Sequence, residues 1–536
     1  MPAATDDSTG ALVRALRCRS CFEHPVDQIR VIETHISYVL LTGAFAYKIK
    51  KPVALPFVDF STLEKRRKAC NEEMRVNARL APTLYLGVVQ IGGSVTAPVM
   101  NAPGKAIEYA VKMRQFPDSA RLDRVLKRGE VCEAMMRDLA RQVARFHARV
   151  ETGPRSGDRQ DSEQHFREVA ENLESLQKLP ESPDRQRLIS KLRDWSMESL
   201  VVNGEHLRGR RRNGFVRECH GDMHLANLAL LDNEIVIFDA VEFNENLRWI
   251  DVLSEVAFLV MDLLHNDRSD LAYIFLSTYL EITGDYEGLG LLRHYLVYRA
   301  MVRAKVTAIR IDQPGLGEEE RGAELAQVDK YLRLALGLAR KNAKPFLLLT
   351  CGPSGAGKSY LSERLCGLLG AIRVRSDAER QRRARAGENR YSAAARHRTY
   401  LRVETNADKV LQAGLPVVVD ATFIRREYRQ RFWQLANDRR VPFAILWLKA
   451  PVEVLERRVR LRGAAGTDAS EANVDVLGQQ LREMEPLSRA EQEFALEIDT
   501  GSELDAGEIE RFLRRVRRLP LEHRFHRHFT CSNGQS

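Results

Sequence analysis

Two stretches of this chain have residue types and spacings suited to handling phosphate. Gly352-Pro353-Ser354-Gly355-Ala356-Gly357-Lys358-Ser359 is a complete G-x-x-x-x-G-K-[ST]. Glycines at these places let successive backbone N–H groups curl round a phosphate chain, and a helix opening at the lysine adds its positive end. Lys358 would then reach the β- and γ-phosphates of a nucleotide, and the Ser359 hydroxyl would hold Mg2+. The other stretch is His220-Gly221-Asp222-Met223-His224-Leu225-Ala226-Asn227, followed by Ile237-Phe238-Asp239. Two carboxylates and an amide of this kind can surround one metal, and phosphoryl transfer depends on cations that bridge phosphates and on positioning. Either stretch alone suggests a nucleotide-dependent phosphotransferase.

The elements around the glycine loop suit it. Phe346 to Thr350 is an apolar run of buried-strand type that feeds straight into the loop, and a helical pattern runs from Lys358 to Leu369. Short strands are expected at 372–374, 416–419 and 443–448, with helices between them, which predicts a parallel sheet with right-handed crossovers. Ser376-Asp377-x-x-Arg380 follows the second strand, where a carboxylate near an acceptor hydroxyl can orient it and accept its proton while the arginine contacts substrate. Val417-Val418-Val419-Asp420 sets a carboxylate at a strand tip, near the expected metal or as a helix N-cap. Arg457, Arg458, Arg460 and Arg462 share a helix, and a guanidinium closing over the transferring phosphate suits its delocalised charge. Arg458 and Arg462 are the preferred candidates; most of the four are expected on a solvated face.

On these residues, the segment from about Phe346 to Arg514 resembles the P-loop kinases related to gluconate kinase, chloramphenicol phosphotransferase and polynucleotide kinase. His220-Gly221-Asp222-x-x-x-x-Asn227 resembles the catalytic loop of the aminoglycoside phosphotransferase and choline kinase families, relatives of the protein kinases. That resemblance implies that Asp222 accepts or orients the acceptor hydroxyl proton, that Asn227 binds Mg2+, and that Asp239 is the second metal-binding carboxylate. It also implies that Lys48, in Phe45-Ala46-Tyr47-Lys48, binds the α- and β-phosphates. Lys50 lies on the same strand face and competes for that role. Glu73, or its neighbour Glu72, would hold the lysine from the following helix, and 108–113 would be the hinge strand. A G-x-G-x-x-G loop is missing; Thr42-Gly43 alone breaks the run from Ile36 to Lys50. The whole chain resembles bacterial proteins that fuse an aminoglycoside-phosphotransferase-like domain to an AAA-type ATP-binding domain.

The expected architecture is two domains. An α+β protein-kinase-like domain spans 1–340, a linker spans 341–345, and an α/β P-loop kinase domain with a parallel sheet spans 346–536. A length of 536 residues exceeds one hydrophobic core and agrees with this division. The expected cofactors are ATP and Mg2+, and the expected partner is a small hydroxyl-bearing acceptor. The segment from Arg248 to Asp262 should help hold that acceptor. With Glu242, Glu245, Asp251, Glu255 and Asp262 in or before it, beside Arg248 and a largely apolar helix, it is less acidic than a polycationic aminoglycoside would favour.

A net charge of +10 fits anionic ligands, and permits nucleic acid without demanding it. A polynucleotide-kinase-type enzyme is therefore a second reading, motivated by the basic runs Arg373 to Arg385 and Arg511 to His528; a non-catalytic ATP-binding regulator with a pseudokinase half is a third. Dispersed solvated faces explain the charge more simply. The apolar runs fall short of the ~18 residues that span a bilayer. A polar N-terminus without an apolar core, together with scattered cysteines inside apolar runs, gives the expectation of a reducing, cytoplasmic setting. Cys18-x-x-Cys21 with His24 could begin a zinc site, but no second C-x-x-C follows, and buried thiols are the simpler reading.

Overall fold

The computed structural model describes residues 8–55, 58–153, 158–180, 182–311, 316–340, 345–382, 392–465, 473–502 and 506–517. Residues 341–344 of the expected linker, 383–385 of the first basic run and 518–528 of the second lie outside them. The packing divides the described chain into two compact units: one holds residues of 1–135, 145–157 and 208–259, the other those of 136–144, 158–207 and 260–536.

The first unit is built on a six-stranded antiparallel sheet. Its strands are β1 (Arg30–Glu33), β2 (Ser37–Leu41), β3 (Phe45–Lys50), β4 (Tyr85–Gly93), β5 (Pro98–Met100) and β6 (Glu108–Arg114), in the order β1-β2-β3-β6-β4-β5. The β2–β3 hairpin turns at Gly43, whose φ of +96° is a glycine conformation. Side chains alternate across β3. Tyr47 and Ile49 join an apolar cluster with Leu40, Ile91 and Ala110, while Lys48 and Lys50 share the opposite face. Helix α1 (Leu63–Asn77) brings Glu73 to those lysines; its N-cap Thr62 accepts from Lys65 N.

Further along this unit, β7 (Val216–Glu218) pairs with β10 (Trp249–Asp251), and β8 (Leu228–Leu231) pairs with β9 (Glu234–Ile237). Asp232 and Asn233 make the tight β8–β9 turn at φ +51° and +65°, the pair of positive φ values a two-residue hairpin of right-handed twist requires. Helix α2 (Val252–His265) follows β10.

The second unit contains helix α3 (Ser269–Thr283), the long helices Leu289–Ile311 and Glu318–Ala339, and a five-stranded all-parallel sheet. The strands are β11 (Leu347–Cys351), β12 (Ile372–Arg375), β13 (Val417–Asp420), β14 (Phe443–Lys449) and β15 (Ala495–Asp499), in the order β12-β13-β11-β14-β15. β11 is buried along its whole length, as a central strand covered on both faces must be. Its helices include α4 (Lys358–Leu369), α5 (Ser376–Arg382), α6 (Ala393–Gln412), α7 (Val452–Ala465) and α8 (Val474–Glu483). Among the described residues no helix is long and apolar enough to cross a membrane.

Candidate active sites

The glycine loop leaves the tip of β11 and enters α4, with Gly357 as N-cap at φ +82°. Two of its glycines are dictated by close approach. A Cβ at Gly352 (φ +143°) would lie 2.5 Å from Leu448 O, and one at Gly355 (φ +84°) would lie 2.7 Å from Leu455 O. The loop therefore presents backbone where any side chain would collide. Lys358 folds back so that Nζ donates to Pro353 O at 2.8 Å, and Ser354 N donates to Gln480 Oε1 at 2.8 Å. Burial pulls the Lys358 pKa below that of an ordinary lysine, with Asp420 and Asp377 pulling the other way.

A cavity of about 280 Å³ opens beside this loop, and the predicted catalytic, metal and preferred substrate side chains of the P-loop half line it: Lys358, Ser359, Asp377, Arg380, Asp420, Arg458 and Arg462. Gly352, Pro353 and Ala356 of the loop do not line it. Asp420 ends β13, next to the loop strand, and accepts from Ser362 Oγ at 3.2 Å. The N-cap of the following helix is Arg425, not Asp420. Asp377 is paired with Arg380 at 2.8 Å. Arg458 is fastened beside the loop, with Nη2 donating to Thr500 O at 2.7 Å and Nη1 to Gly355 O at 3.3 Å. Arg457 and Arg460 point to solvent.

The same cavity is lined by groups that the sequence alone did not single out. Arg396 pairs with Glu483 at 3.0 Å. Tyr400 stacks on Tyr428 at 3.8 Å, and its hydroxyl accepts from Phe423 N at 2.9 Å. Thr422, beside the Tyr400 hydroxyl, follows Asp420 by two residues, and this strand-tip position was the one available signal. The oxygen donors Ser359 and Asp420, near the half-buried Lys358 ammonium, suit a hard cation on a nucleotide phosphate.

In the first unit, the His220–Asn227 loop is held at a fixed place. Gly221 takes φ +89°, and a Cβ there would lie 2.6 Å from Leu247 O. Buried Glu255, from α2, accepts from both His220 N and Gly221 N at 2.7 Å through Oε1, and its Oε2 meets His147 Nε2 at 2.8 Å. Burial disfavours the Glu255 charge, yet His147, His220 and the Gly221 amide hold its pKa below the ordinary carboxylate value. Burial lowers the pKa of His220. Its neutral ring has one tautomer that fits: Nε2–H donates to Phe238 O at 2.9 Å, and Nδ1 accepts from Asp222 N at 3.3 Å.

Asp222 and Asp239 are half-buried, and the loop brings Asp222 together with Asn227, whose Nδ2 donates to Asp222 Oδ2 at 2.9 Å. Asp239 sits at φ +62° and receives Lys48 Nζ at 2.6 Å. Lys48 also meets Glu73 Oε1 at 2.8 Å, while Lys50 meets Glu73 Oε2 at 2.5 Å and pairs with Glu242. Glu73 thus bridges both lysines, and only Lys48 reaches Asp239. Burial opposes the Lys48 charge, but Asp239, Glu73 and Glu242 together raise its pKa. Glu72 pairs instead with Arg75 and Arg248. Among the described residues, His147, Cys219 and Glu255 form the one cluster of metal-ligand types, and Glu255 is committed to the loop amides; Cys18 and Cys21 do not join such a cluster.

Residues 119–292 match the phosphotransferase enzyme family, and residues 347–487 match an AAA domain. An uncharacterized protein of Mycobacterium tuberculosis is 30% identical over 465 residues, covering 84% of this chain and 90% of its own, and a Mycobacterium bovis protein matches equally. Among solved structures, an amicoumacin kinase aligns with 61% of this chain and 93% of its own at 15% identity and TM-score 0.38. A gluconokinase from Sinorhizobium meliloti aligns with 33% of this chain and 95% of its own at 22% identity and TM-score 0.26.

Proposed function

The chain belongs, with its mycobacterial relatives, to a family that joins a kinase-like phosphotransferase domain to an AAA-type P-loop domain, and we propose that it is an ATP-dependent phosphotransferase with two nucleotide sites acting on the hydroxyl of a small molecule. The observation that carries this reading is the P-loop cavity. The candidate phosphate-binding groups Lys358 and Ser359 line the same cavity as a carboxylate–arginine pair suited to an acceptor (Asp377 and Arg380) and two further arginines, Arg458 and Arg462. A site that only held nucleotide has no use for the acceptor pair.

In this reading Lys358 binds the β- and γ-phosphates, and Ser359 and Asp420 hold Mg2+. Asp377 orients the acceptor hydroxyl, Arg380 binds substrate, and Arg458 or Arg462 neutralises charge on the transferring group. In the first unit Asp222 orients an acceptor, and Lys48, fixed by Glu73, binds phosphate. Asn227 and Asp239 hold the metal; because Asn227 Nδ2 faces Asp222, its Oδ1 is the atom it offers. Bound Mg2+ supplies charge neutralisation on the phosphates. A cytoplasmic setting is consistent with ATP as donor. Of the basic run that motivated nucleic-acid binding, Arg373 is buried on Glu281 and Arg382 pairs with Glu379, so neither offers a free cationic surface.

The test is ATP turnover by the full chain, with a thermal-shift screen of hydroxyl metabolites to find the acceptor. Lys358→Ala and Asp222→Asn should each remove one component of turnover, by about 100-fold or more. If neither changes turnover or nucleotide binding, the reading fails.

A further inference from the structure

Helix α3 belongs by sequence to the phosphotransferase-family segment, yet it packs within the second unit against the P-loop sheet. β12 is an outer strand, and an outer strand leaves every second N–H and C=O without a ladder partner. At Arg373 these groups are met from outside the sheet. Its N–H donates to Ser277 Oγ of α3 at 3.1 Å, and its carbonyl accepts from Tyr286 Oη at 3.4 Å. Contact with α4 is equally close: a Cβ at Gly367 would lie 2.9 Å from Asp270 Cα.

This packing delivers Glu281, buried near the end of α3, to two arginines of β12. Glu281 Oε1 accepts from Arg373 Nε at 2.6 Å, and Oε2 lies 3.7 Å from Arg375 Nη1. Arg373 Nη1 donates to Glu363 Oε2 at 3.2 Å and to Ser359 O at 3.3 Å. Arg375 spans further. Its Nη2 is 3.5 Å from Ser359 Oγ, and its Nε is 3.5 Å from Asp420 Oδ2. A guanidinium therefore stands between the two oxygens assigned above to the metal, with Glu281 drawing it from the other side.

We propose that Glu281 is a positioning residue for the magnesium end of the P-loop site, acting through Arg375. It draws the guanidinium off Ser359 and Asp420, so that a divalent cation can take those oxygens. The inference rests on the P-loop reading above. A cation and a guanidinium compete for the same lone pairs, and a carboxylate on the far side of the guanidinium shifts that competition toward the metal. The P-loop site then depends on a residue of the other family segment, which neither family match covers together with the loop.

The experiment is a magnesium titration of mant-ADP binding to the full chain, following the fluorescence component that Lys358→Ala removes. Glu281→Gln should raise the Mg2+ concentration for half-maximal binding about tenfold, with mant-ADP affinity in EDTA changed less than about twofold. Arg375→Met should lower the Mg2+ midpoint, and in the double variant the Glu281→Gln shift should vanish. An unchanged midpoint in Glu281→Gln, or a shift that persists in the double variant, overturns the proposal. If Glu281→Gln does not fold, Arg375→Met decides alone, and a midpoint equal to wild type overturns it. A wild-type chain without Lys358-dependent binding would remove the P-loop reading and this inference together; a wild type that binds, with variants that match it, removes only this inference.

Discussion

Glu255 makes a sharp test of how the His220–Asn227 loop is held, because its partners are known atom by atom. One carboxylate oxygen takes two backbone N–H bonds at 2.7 Å, and the other meets His147 at 2.8 Å, all buried. Hydrogen bonds to a charged group contribute about 1.5–3 kcal/mol each, and neutral ones about 0.5–1.5 kcal/mol. Glu255→Gln keeps the shape and an acceptor oxygen toward the loop, so its two loop bonds weaken by about 1 kcal/mol each, about 2 kcal/mol together. Glu255→Ala takes the carboxylate from three buried partners at about 1–3 kcal/mol each, and its cost should be about 3–9 kcal/mol. Amide hydrogen exchange at His220 and Gly221 reads this directly. A loss of about 2 kcal/mol corresponds to roughly thirtyfold faster opening in Glu255→Gln, and the alanine variant should exceed it. Urea midpoints should fall in the same order. If exchange at both amides stays within about twofold of wild type in Glu255→Ala, the carboxylate does not anchor the loop, and the reading of α2 as its support is wrong.

Two further predictions concern strain and charge. Gly352→Ala should lower the thermal midpoint by roughly 5 °C, because strain at this φ costs about 1–3 kcal/mol and the new Cβ meets Leu448 O. Gly337→Ala, in the last turn of its helix with open space around it, should raise stability by a few tenths to about 1 kcal/mol; calorimetry on both variants checks the contrast. The Glu73 carboxylate is moved from 4.5 to about 2, since Lys48 and Lys50 outweigh the opposing effect of burial. Its contribution to stability is thus complete above pH 4.5 and is lost as the pH falls toward 2. Glu73→Gln should destabilise the chain at neutral pH by about 3–5 kcal/mol and flatten acid unfolding in that window; an acid limb of unchanged slope by circular dichroism would count against the pairing.

Much of the P-loop half was legible because buried parallel strands are continuous apolar runs and the glycine motif marks where one of them ends. The strand expected at 346–350 is found at 347–351, and the helix from Lys358 ends at Leu369 as its pattern predicts. β15 was not foreseen. Ala495–Asp499 lies at the sheet edge with most of its residues partly exposed, so it lacks the apolar run that announced its neighbours. The residues by themselves did not separate Lys48 from Lys50; only the family resemblance favoured Lys48. A two-residue spacing puts both on one face, and what separates them is Asp239 and Glu242, 191 and 192 residues away. Arg396, Tyr400 and Glu483 join the cavity through tertiary packing, with no local pattern to mark them.

The same dependence on distant partners changes what the acidic residues around α2 can mean. As a string, Glu242, Asp251 and Glu255 are carboxylates a cationic acceptor could use, though beside Arg248 and a largely apolar helix they are fewer than a polycation would favour. In the fold, Glu242 pairs with Lys50, Asp251 pairs with buried Arg210 at 2.5 Å, and Glu255 binds the loop amides. Releasing any one of them to a ligand would leave a buried cation or two backbone amides without that partner, at several kcal/mol. A polycation would have to find other carboxylates or bring enough binding energy to meet that cost. The charge near the loop thus holds Lys50, Arg210 and the His220–Gly221 backbone in place, and under the proposed phosphotransferase reading an acceptor recognised mainly through its hydroxyl groups fits this arrangement better than one recognised through positive charge.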